Sequence, residues 1–463
     1  MNLTFLKTVK LLYHKKNLSA NRRFSVKITA MAHTPKIGAR QTPKMPYNYD
    51  AALNMHMLGP GEPALSEWRA LGLELPDMDA VRQYRLQRVR DELKKRDIAA
   101  AVLFDPLNIR YATDSTNMQL WISHNAARYC FVAAEGPVIV FDYHQCEHLS
   151  AHNPLIDEVR PAQSWFYFSA GAGLERKSER WAKEIIELLK QAGGSRLAVD
   201  KLNPEGAHFL QKAGVELANG EELMECARMV KCHDEIRAMK CAIAACDSAI
   251  GTMLKHTRPG ETENRLWSYL HAENIARGGE WIETRILSAG PRTNPWFQES
   301  SSRPVGEGEL LAFDTDLIGA FGMCVDISRT WLVGKSKPSP AQQDVYQRAI
   351  EQVRHNASLL RPGMSWRELS QQALSYSPDT YRHYSSIVHG IGLCDEYPSV
   401  PFPHQWDDDA PLEDGIVSGM TLCAESYVGR RDGGEGAKYE EQYLITDTGA
   451  ELLSHYPAEL VIQ

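Results

Sequence analysis

Six side chains in the last third of this 463-residue chain are of the types that bind divalent cations: Asp314, Asp316, Asp326, His389, Glu425 and Glu440. Asp314 and Asp316 belong to the apolar run at 310–316, which reads as a buried strand, and the two-residue strand period predicts both carboxylates on one face. Asp326 follows in the strand-like stretch 323–328, after the turn signal Gly319-Ala320-Phe321-Gly322. Glu425 ends Thr421-Leu422-Cys423-Ala424-Glu425, and Glu440 stands just before Tyr443-Leu444-Ile445. Burying a lone ionised carboxylate is costly, so this many acids in apolar strands call for cations. Two adjacent divalent metal ions would meet that need, and mixed carboxylate and imidazole donors suit Fe, Mn, Co or Zn. A single acid of this kind is equally well read as the solvent-side end of a strand. An ordered set of six is not.

Positioning such a set takes a substantial scaffold, and the chain has one. Its length is about three times that of a modal domain, so two or more domains are expected. Residues 1–49 carry ten Lys or Arg and no acid, so the net charge of −8 becomes −18 for the remainder. So acidic a body argues against nucleic-acid binding. No apolar run approaches the roughly 20 residues of a membrane span, so no membrane partner is expected. Nine scattered cysteines without a C-x-x-C pair point to reduced thiols and a cytoplasmic location. The basic segment reads either as an organelle transit peptide, which would make the protein mitochondrial, or as a plain extension with Met31 as an alternative start.

Residues 50–77 are Pro/Gly-rich and read as an irregular arm. Helical periodicity over 81–96, a strand at 99–104, a hairpin around Glu135-Gly136, a helix over 177–192 and a strand at 196–199 predict an α/β amino-terminal domain over 50–225. In the second domain, 226–463, helices are expected over 234–254, 262–277 and 341–359, with strands dominating 283–333.

The order Asp, Asp, His-Gly-x-Gly, Glu, Glu in a carboxy-terminal α+β domain resembles the pita-bread fold of methionine aminopeptidases, prolidases and creatinases. The resemblance is carried by Asp326-Ile327-Ser328-Arg329-Thr330, by Val388-His389-Gly390-Ile391-Gly392-Leu393 and by the run 439–446. Upstream, 104–111 resembles the creatinase-type amino-terminal domain. This likeness implies that Asp314, Asp316, Asp326 and Glu440 hold one metal ion. Asp326, His389, Glu425 and Glu440 would hold the other. It also implies a homodimer.

Two departures stand out. Hydrolases of this superfamily use two further histidines, one upstream of the first aspartate and one just after His-Gly-x-Gly. Here no histidine lies between His271 and His355, the first region reads Asn294-Pro295-Trp296-Phe297, and Asp395 stands in the second neighbourhood. Loss of both groups would remove acid–base and oxyanion functions worth orders of magnitude in rate. The Asp-Thr-Asp doublet at 314–316, the run 322–331 and His-Gly-Ile-Gly-Leu-Cys-Asp-Glu at 389–396 are similar instead to dimethylsulfoniopropionate lyases of the DddP type. That branch implies a β-elimination yielding dimethyl sulfide and acrylate. Asp395 would be its general base, and the metal ions (iron first, with zinc, manganese or cobalt as alternatives) would bind the substrate carboxylate. A sulfonium cation favours aromatic faces, for which Trp121, Trp165, Tyr167, Trp296 and Tyr384 are available. Arg329 is expected to pair with a ligand carboxylate, Glu441 is the rival of Glu440, and His383 and His404 read as structural or exposed. The alternative is a prolidase-like hydrolase drawing its histidines from His124 and His144 across a dimer.

Overall fold

The computed structural model describes residues 60–150 and 153–461. The basic segment 1–49 and the start of the arm lie outside these residues, and the remainder of the arm contains a short helix, Ala64–Ala70. The next helix, Met78–Lys95, starts at Asp77, whose carboxylate accepts from the amides of Asp79 and Ala80, donors that the first helical turn otherwise leaves unpaired. It leads into six strands: β1 (Ala100–Leu103), β2 (Tyr129–Ala133), β3 (Val138–Asp142), β4 (Glu158–Pro161), β5 (Arg196–Val199) and β6 (Glu216–Asn219). Their order is β4-β3-β2-β1-β5-β6, antiparallel at the centre and parallel in the outer pairs. Strand alternation divides the side chains between two cores. Ala101, Leu103, Cys130 and Val132 enter one, and Ala100, Val102, Phe131 and Ile139 enter the other. Both faces are covered, so these strands read as continuous apolar runs.

The chain passes through helix Gly220–Arg228 into the 24-residue helix His233–His256, which packs on helix Glu263–Ala276 through Met239, Ile243, Ile250, Leu266 and Leu270. Strands follow in three sheets. One holds β7 (Trp281–Ile282), β10 (Leu317–Ile318) and β11 (Cys324–Val325), and another holds β8 (Leu287–Ala289), β9 (Leu310–Phe313) and β12 (Arg329–Leu332). The third runs β15 (Asp395–Val400), β14 (Val388–Ile391), β16 (Thr421–Arg430), β17 (Gly436–Thr446), β18 (Gly449–Leu452), with β13 (Tyr381–Arg382) against β16. Helix Pro340–Leu359 covers it, with Val345, Ala349 and Val353 packed among Leu422, Ala424 and Val428. The result is an α/β amino-terminal domain and an α+β domain with the pita-bread arrangement.

This topology gathers distant residues. In the β14–β16 pair His389 lies opposite Cys423, and in the β16–β17 pair Glu425 lies opposite Glu440. A bulge at His389/Gly390 brings β15 so close that a Cβ on Gly390 would stand 2.4 Å from the Tyr397 carbonyl oxygen. Only glycine fits there, which explains part of the His-Gly-x-Gly pattern. A buried ion pair joins the domains, Arg85 Nε to Glu235 at 2.6 Å, and next to their boundary Glu396 pairs with Arg228 and Lys231 at 3.1 and 2.8 Å.

One expectation is corrected. β9 ends at Phe313, and Asp316 has φ of +34°, in the left-handed region. Asp314 and Asp316 are therefore placed by a turn and not by the pleat of one strand; aspartate is among the few residue types that tolerate this backbone.

Candidate metal centre

All six ligand candidates are buried, and the fold brings them together. His389 is the hub. Its Nε2 lies 3.1 Å from Glu440 Oε1, 3.7 Å from Asp326 Oδ2 and 3.8 Å from Glu425 Oε1. Its Nδ1 is 3.0 Å from the Gly390 carbonyl oxygen, a contact that fits Nδ1–H donating and leaves Nε2 free as a ligand. Two groups of donor atoms lie within 4.8 Å of one another: Asp326, His389, Cys423 and Glu440, and Asp316, Asp326 and Asp395. Asp326 belongs to both. Its Oδ1 is buried and has no hydrogen-bond partner among the described residues. An orphaned carboxylate oxygen between two donor clusters is what a shared ligand requires, so the residues fit divalent metal ions.

Electrostatics point the same way. Burial raises Asp314, and burial together with neighbouring carboxylates holds Asp316 and Asp326 well above the usual range. Burial also pushes Glu425 up to about 7, against the pull of Lys438. For Glu440 burial acts in the same direction, but Lys438 and His389 outweigh it and hold the carboxyl low. His389 shows the converse, since Asp395, Glu440 and Glu425 overcome burial and raise it. Without an ion the cage holds protons in place of metal.

The sequence reading missed the cage's own cation. Lys438 is fully buried, with Nζ 3.1 Å from Asp314 Oδ2, 2.9 Å from Glu425 Oε2 and 2.6 Å from Glu440 Oε2. It also donates to Ser328 Oγ at 3.0 Å and lies 4.3 Å from the centroid of the Tyr384 ring. Glu425 and Glu440 thus offer one oxygen to the lysine and the other toward His389. Asp314 gives Oδ2 to Lys438 and Oδ1 to Ser328 at 2.5 Å, and it belongs to neither donor group. The signal was legible: Lys438 precedes Glu440 by two residues, as Cys423 precedes Glu425, so each pair shares a strand face.

Strand alternation also separates Glu440 from its rival. Glu441 projects away from the cage, pairs with Arg329 at 2.8 Å and accepts from Tyr439 and Ser454. Arg329 therefore does not pair with a ligand side chain. It donates to the backbone carbonyl of Glu440 at 2.7 Å, bracing the strand from behind.

Asp395 stands at the rim. Its side chain is 53% exposed and its Oδ1 is 3.6 Å from His389 Nδ1. Lost hydration still raises its carboxyl, with His389 opposing. Glu283, also absent from the sequence reading, is pushed to about 7 by burial and by the charge of Asp395. Among the aromatic candidates Tyr384 reaches the cage through Lys438, while Trp296 is buried against Tyr427 with ring centroids 5.5 Å apart. Trp165 is not brought to the site. It stacks on Trp181 at 4.5 Å inside the amino-terminal core, where a broad apolar ring is worth most as packing. Trp121 lines a separate cavity of about 1050 Å³ with Met118, Leu120 and Trp281, and Tyr167 is exposed on the amino-terminal domain. His124 and His144 are exposed there too and join neither donor group, and His383 and His404 contact each other at 2.9 Å.

Comparison with known proteins matches residues 85–230 to the creatinase/prolidase N-terminal domain and 237–447 to metallopeptidase family M24. A dimethylsulfoniopropionate lyase DddP from Roseovarius nubinhibens is 44% identical over 411 residues, covering 86% of this chain and 91% of that protein. A second, from Roseobacter denitrificans, is 43% identical over 416 residues, covering 88% and 92%. The chain belongs to the DddP-type dimethylsulfoniopropionate lyase family. Its fold is that of the wider superfamily: an Xaa-Pro dipeptidase from Bacillus anthracis, 21% identical, superposes with a TM-score of 0.66 over 82% of this chain and 99% of its own. Both lyase relatives are bacterial, and they lend no support to the mitochondrial alternative. Among the described residues no helix is long and apolar enough to cross a membrane.

Proposed function

We propose that this protein is a carbon–sulfur lyase that cleaves dimethylsulfoniopropionate to dimethyl sulfide and acrylate, with Asp395 as general base. The observation that carries this reading is a carboxylate where hydrolases of the superfamily place a histidine. Asp395 joins Asp316 and Asp326 in one donor group, and His389 is the sole histidine in either group. The 43–44% identity to lyases supports the same substrate.

Asp395 takes the proton on the carbon next to the substrate carboxylate. The C–H electron pair becomes the new C=C bond, the C–S bond breaks, and sulfur leaves with its electrons as neutral dimethyl sulfide, so no acid is needed at the leaving group. A carboxyl raised by lost hydration is a stronger base than an ordinary aspartate, which suits proton abstraction near neutrality. Asp314, Asp316, Asp326, His389, Glu425 and Glu440 would hold two divalent ions, iron first and zinc, manganese or cobalt by the same donor chemistry. When bound, these ions supply Lewis acidity that draws electrons from the substrate carboxylate. Lys438 and Ser328 fix the outer oxygens of the cage, and Asp395 stands at its rim 3.6 Å from His389 Nδ1. The active form is a homodimer in this reading. The exposed apolar side chains Met118, Leu120, Trp121 and Ile275 around the large cavity favour it.

The test is headspace dimethyl sulfide from metal-loaded wild type and Asp395→Asn. Release by wild type, reduced about 10²–10⁴-fold in the variant at unchanged metal content, is expected. Silence from wild type with cleavage of an Xaa-Pro dipeptide would move the assignment to a hydrolase.

A further inference from the structure

We infer that Phe297 is the ring that receives the cationic end of the substrate, a specificity role that rests on the lyase reading above. Tyr384 touches the cage, but the Lys438 ammonium already lies 4.3 Å from its centroid. A second cation on that ring would face a like charge across it. Trp296 is buried and stacked on Tyr427, and Trp165 lies in the amino-terminal core. Of the exposed aromatic rings among the described residues (Trp121, Tyr167, Phe168 and Phe297), Phe297 is the one that meets Tyr384, with centroids 5.2 Å apart.

Phe297 is 58% exposed and has φ of +67°. A bulky side chain in the left-handed region is uncommon and costly, and it persists where the surroundings impose it. Those surroundings are visible: Trp296 is packed inward, Gln298 donates to the Pro295 carbonyl at 3.1 Å, and Asn294 donates to the Arg430 carbonyl at 2.8 Å. Firmly anchored neighbours thus hold an apolar ring out in the open beside the site.

The reach also fits. In a three-carbon zwitterion the sulfonium lies about 4 Å from the carboxylate carbon, and cation–π attraction acts within about 6 Å of a ring centroid. Lys438 Nζ, Tyr384 and Phe297 follow one another at 4.3 and 5.2 Å, so the ring stands at a distance of the same order from the lysine of the cage.

The experiment is calorimetric binding of two non-reacting carboxylates of matched shape to the metal-loaded full chain: 3-(trimethylammonio)propionate, which is cationic at its far end, and 4,4-dimethylpentanoate, whose far end is uncharged. Wild type is expected to prefer the cation about tenfold. Phe297→Leu should bring the two affinities within about twofold by weakening the cation alone, while Phe297→Tyr retains the preference. Where leucine disturbs the fold, Phe297→pentafluorophenylalanine keeps the ring's shape and reverses its quadrupole, so it gives the same reading. An unchanged preference in the leucine and fluorinated variants overturns the proposal, as does equal weakening of both ligands. A ring-dependent preference without dimethyl sulfide release would reject the lyase reading and leave the cation subsite standing. Release with a preference indifferent to residue 297 would reject the subsite alone.

Discussion

Asp395 and Glu396 are neighbours on β15, and they end in opposite electrostatic surroundings. Glu396 is fully buried at the domain junction, where burial would raise its carboxyl, yet Lys231 and Arg228 outweigh burial and hold it low. Asp395 points the other way, toward a cage in which Asp316 and Asp326 are raised well above the ordinary range. Burial alone therefore does not decide ionisation; the supply of cations does. The junction contains its own two cations and is complete. Among the described residues the cage has one full-time cation, Lys438, for its five ligand-candidate carboxylates, and a self-sufficient structural cluster would not be left so short.

The sharpest way to break this contrast is Asp326→Asn, which takes a carboxylate oxygen from the residue common to both donor groups. Metal content measured by mass spectrometry should fall and dimethyl sulfide release should collapse by about 10³-fold or more, with the melting temperature of the chelated protein little changed or raised. Full metal retention would remove Asp326 as the shared ligand. Glu396→Ala should do the reverse. It strands Lys231 and leaves Arg228 with Glu225 alone, so a loss of about 3–5 kcal/mol is expected in denaturant unfolding whether or not metal is present. Destabilisation that metal repairs would erase the distinction between the clusters.

Lys438→Met lies between the two. It leaves Asp314, Glu425 and Glu440 without their ammonium, so the chelated protein should lose about 2–4 kcal/mol and metal should restore much of it. Equal loss in chelated and loaded forms would make Lys438 a packing residue.

The smallest effect is a pH trend in the metal-free protein. Asp314, Asp316, Asp326 and Glu425 have folded values above their unfolded ones of 3.8 and 4.5. Such groups favour the fold below those values, and the contribution is lost as pH rises through the folded ones, about 7 for Glu425. Glu440 has the opposite sign, with its contribution present above 4.5 and lost as pH falls. The raised groups outnumber it, so the melting temperature of chelated protein should fall between about pH 5 and 8 while bound metal stabilises increasingly. A gap between loaded and chelated melting curves that stays constant with pH would contradict this.

Much of this was readable from the chain. Helices at 233–256, 263–276 and 340–359 and the strand Arg196–Val199 follow apolar periodicity and end signals, which are local properties. The ligand candidates were readable too, because acids and a histidine are conspicuous in apolar strands. Even the hidden Lys438 was accessible to two-residue spacing from Glu440. Tertiary structure decided the rest. The turn that places Asp314 and Asp316 depends on a positive φ at Asp316 that a strand pattern does not encode. Glu440 and Glu441 were told apart by which face of β17 meets Arg329. Trp165 went to a core and Phe297 to the open beside Tyr384, although both look alike as aromatic residues between turns. Periodicity and composition are carried by neighbours in the chain, so the sequence alone determines elements and ligand types. Which oxygen receives a cation, and which ring stays uncovered, depends on contacts between separate elements, such as Lys438 with Asp314 and Phe297 with Tyr384, and only the packed fold brings those together.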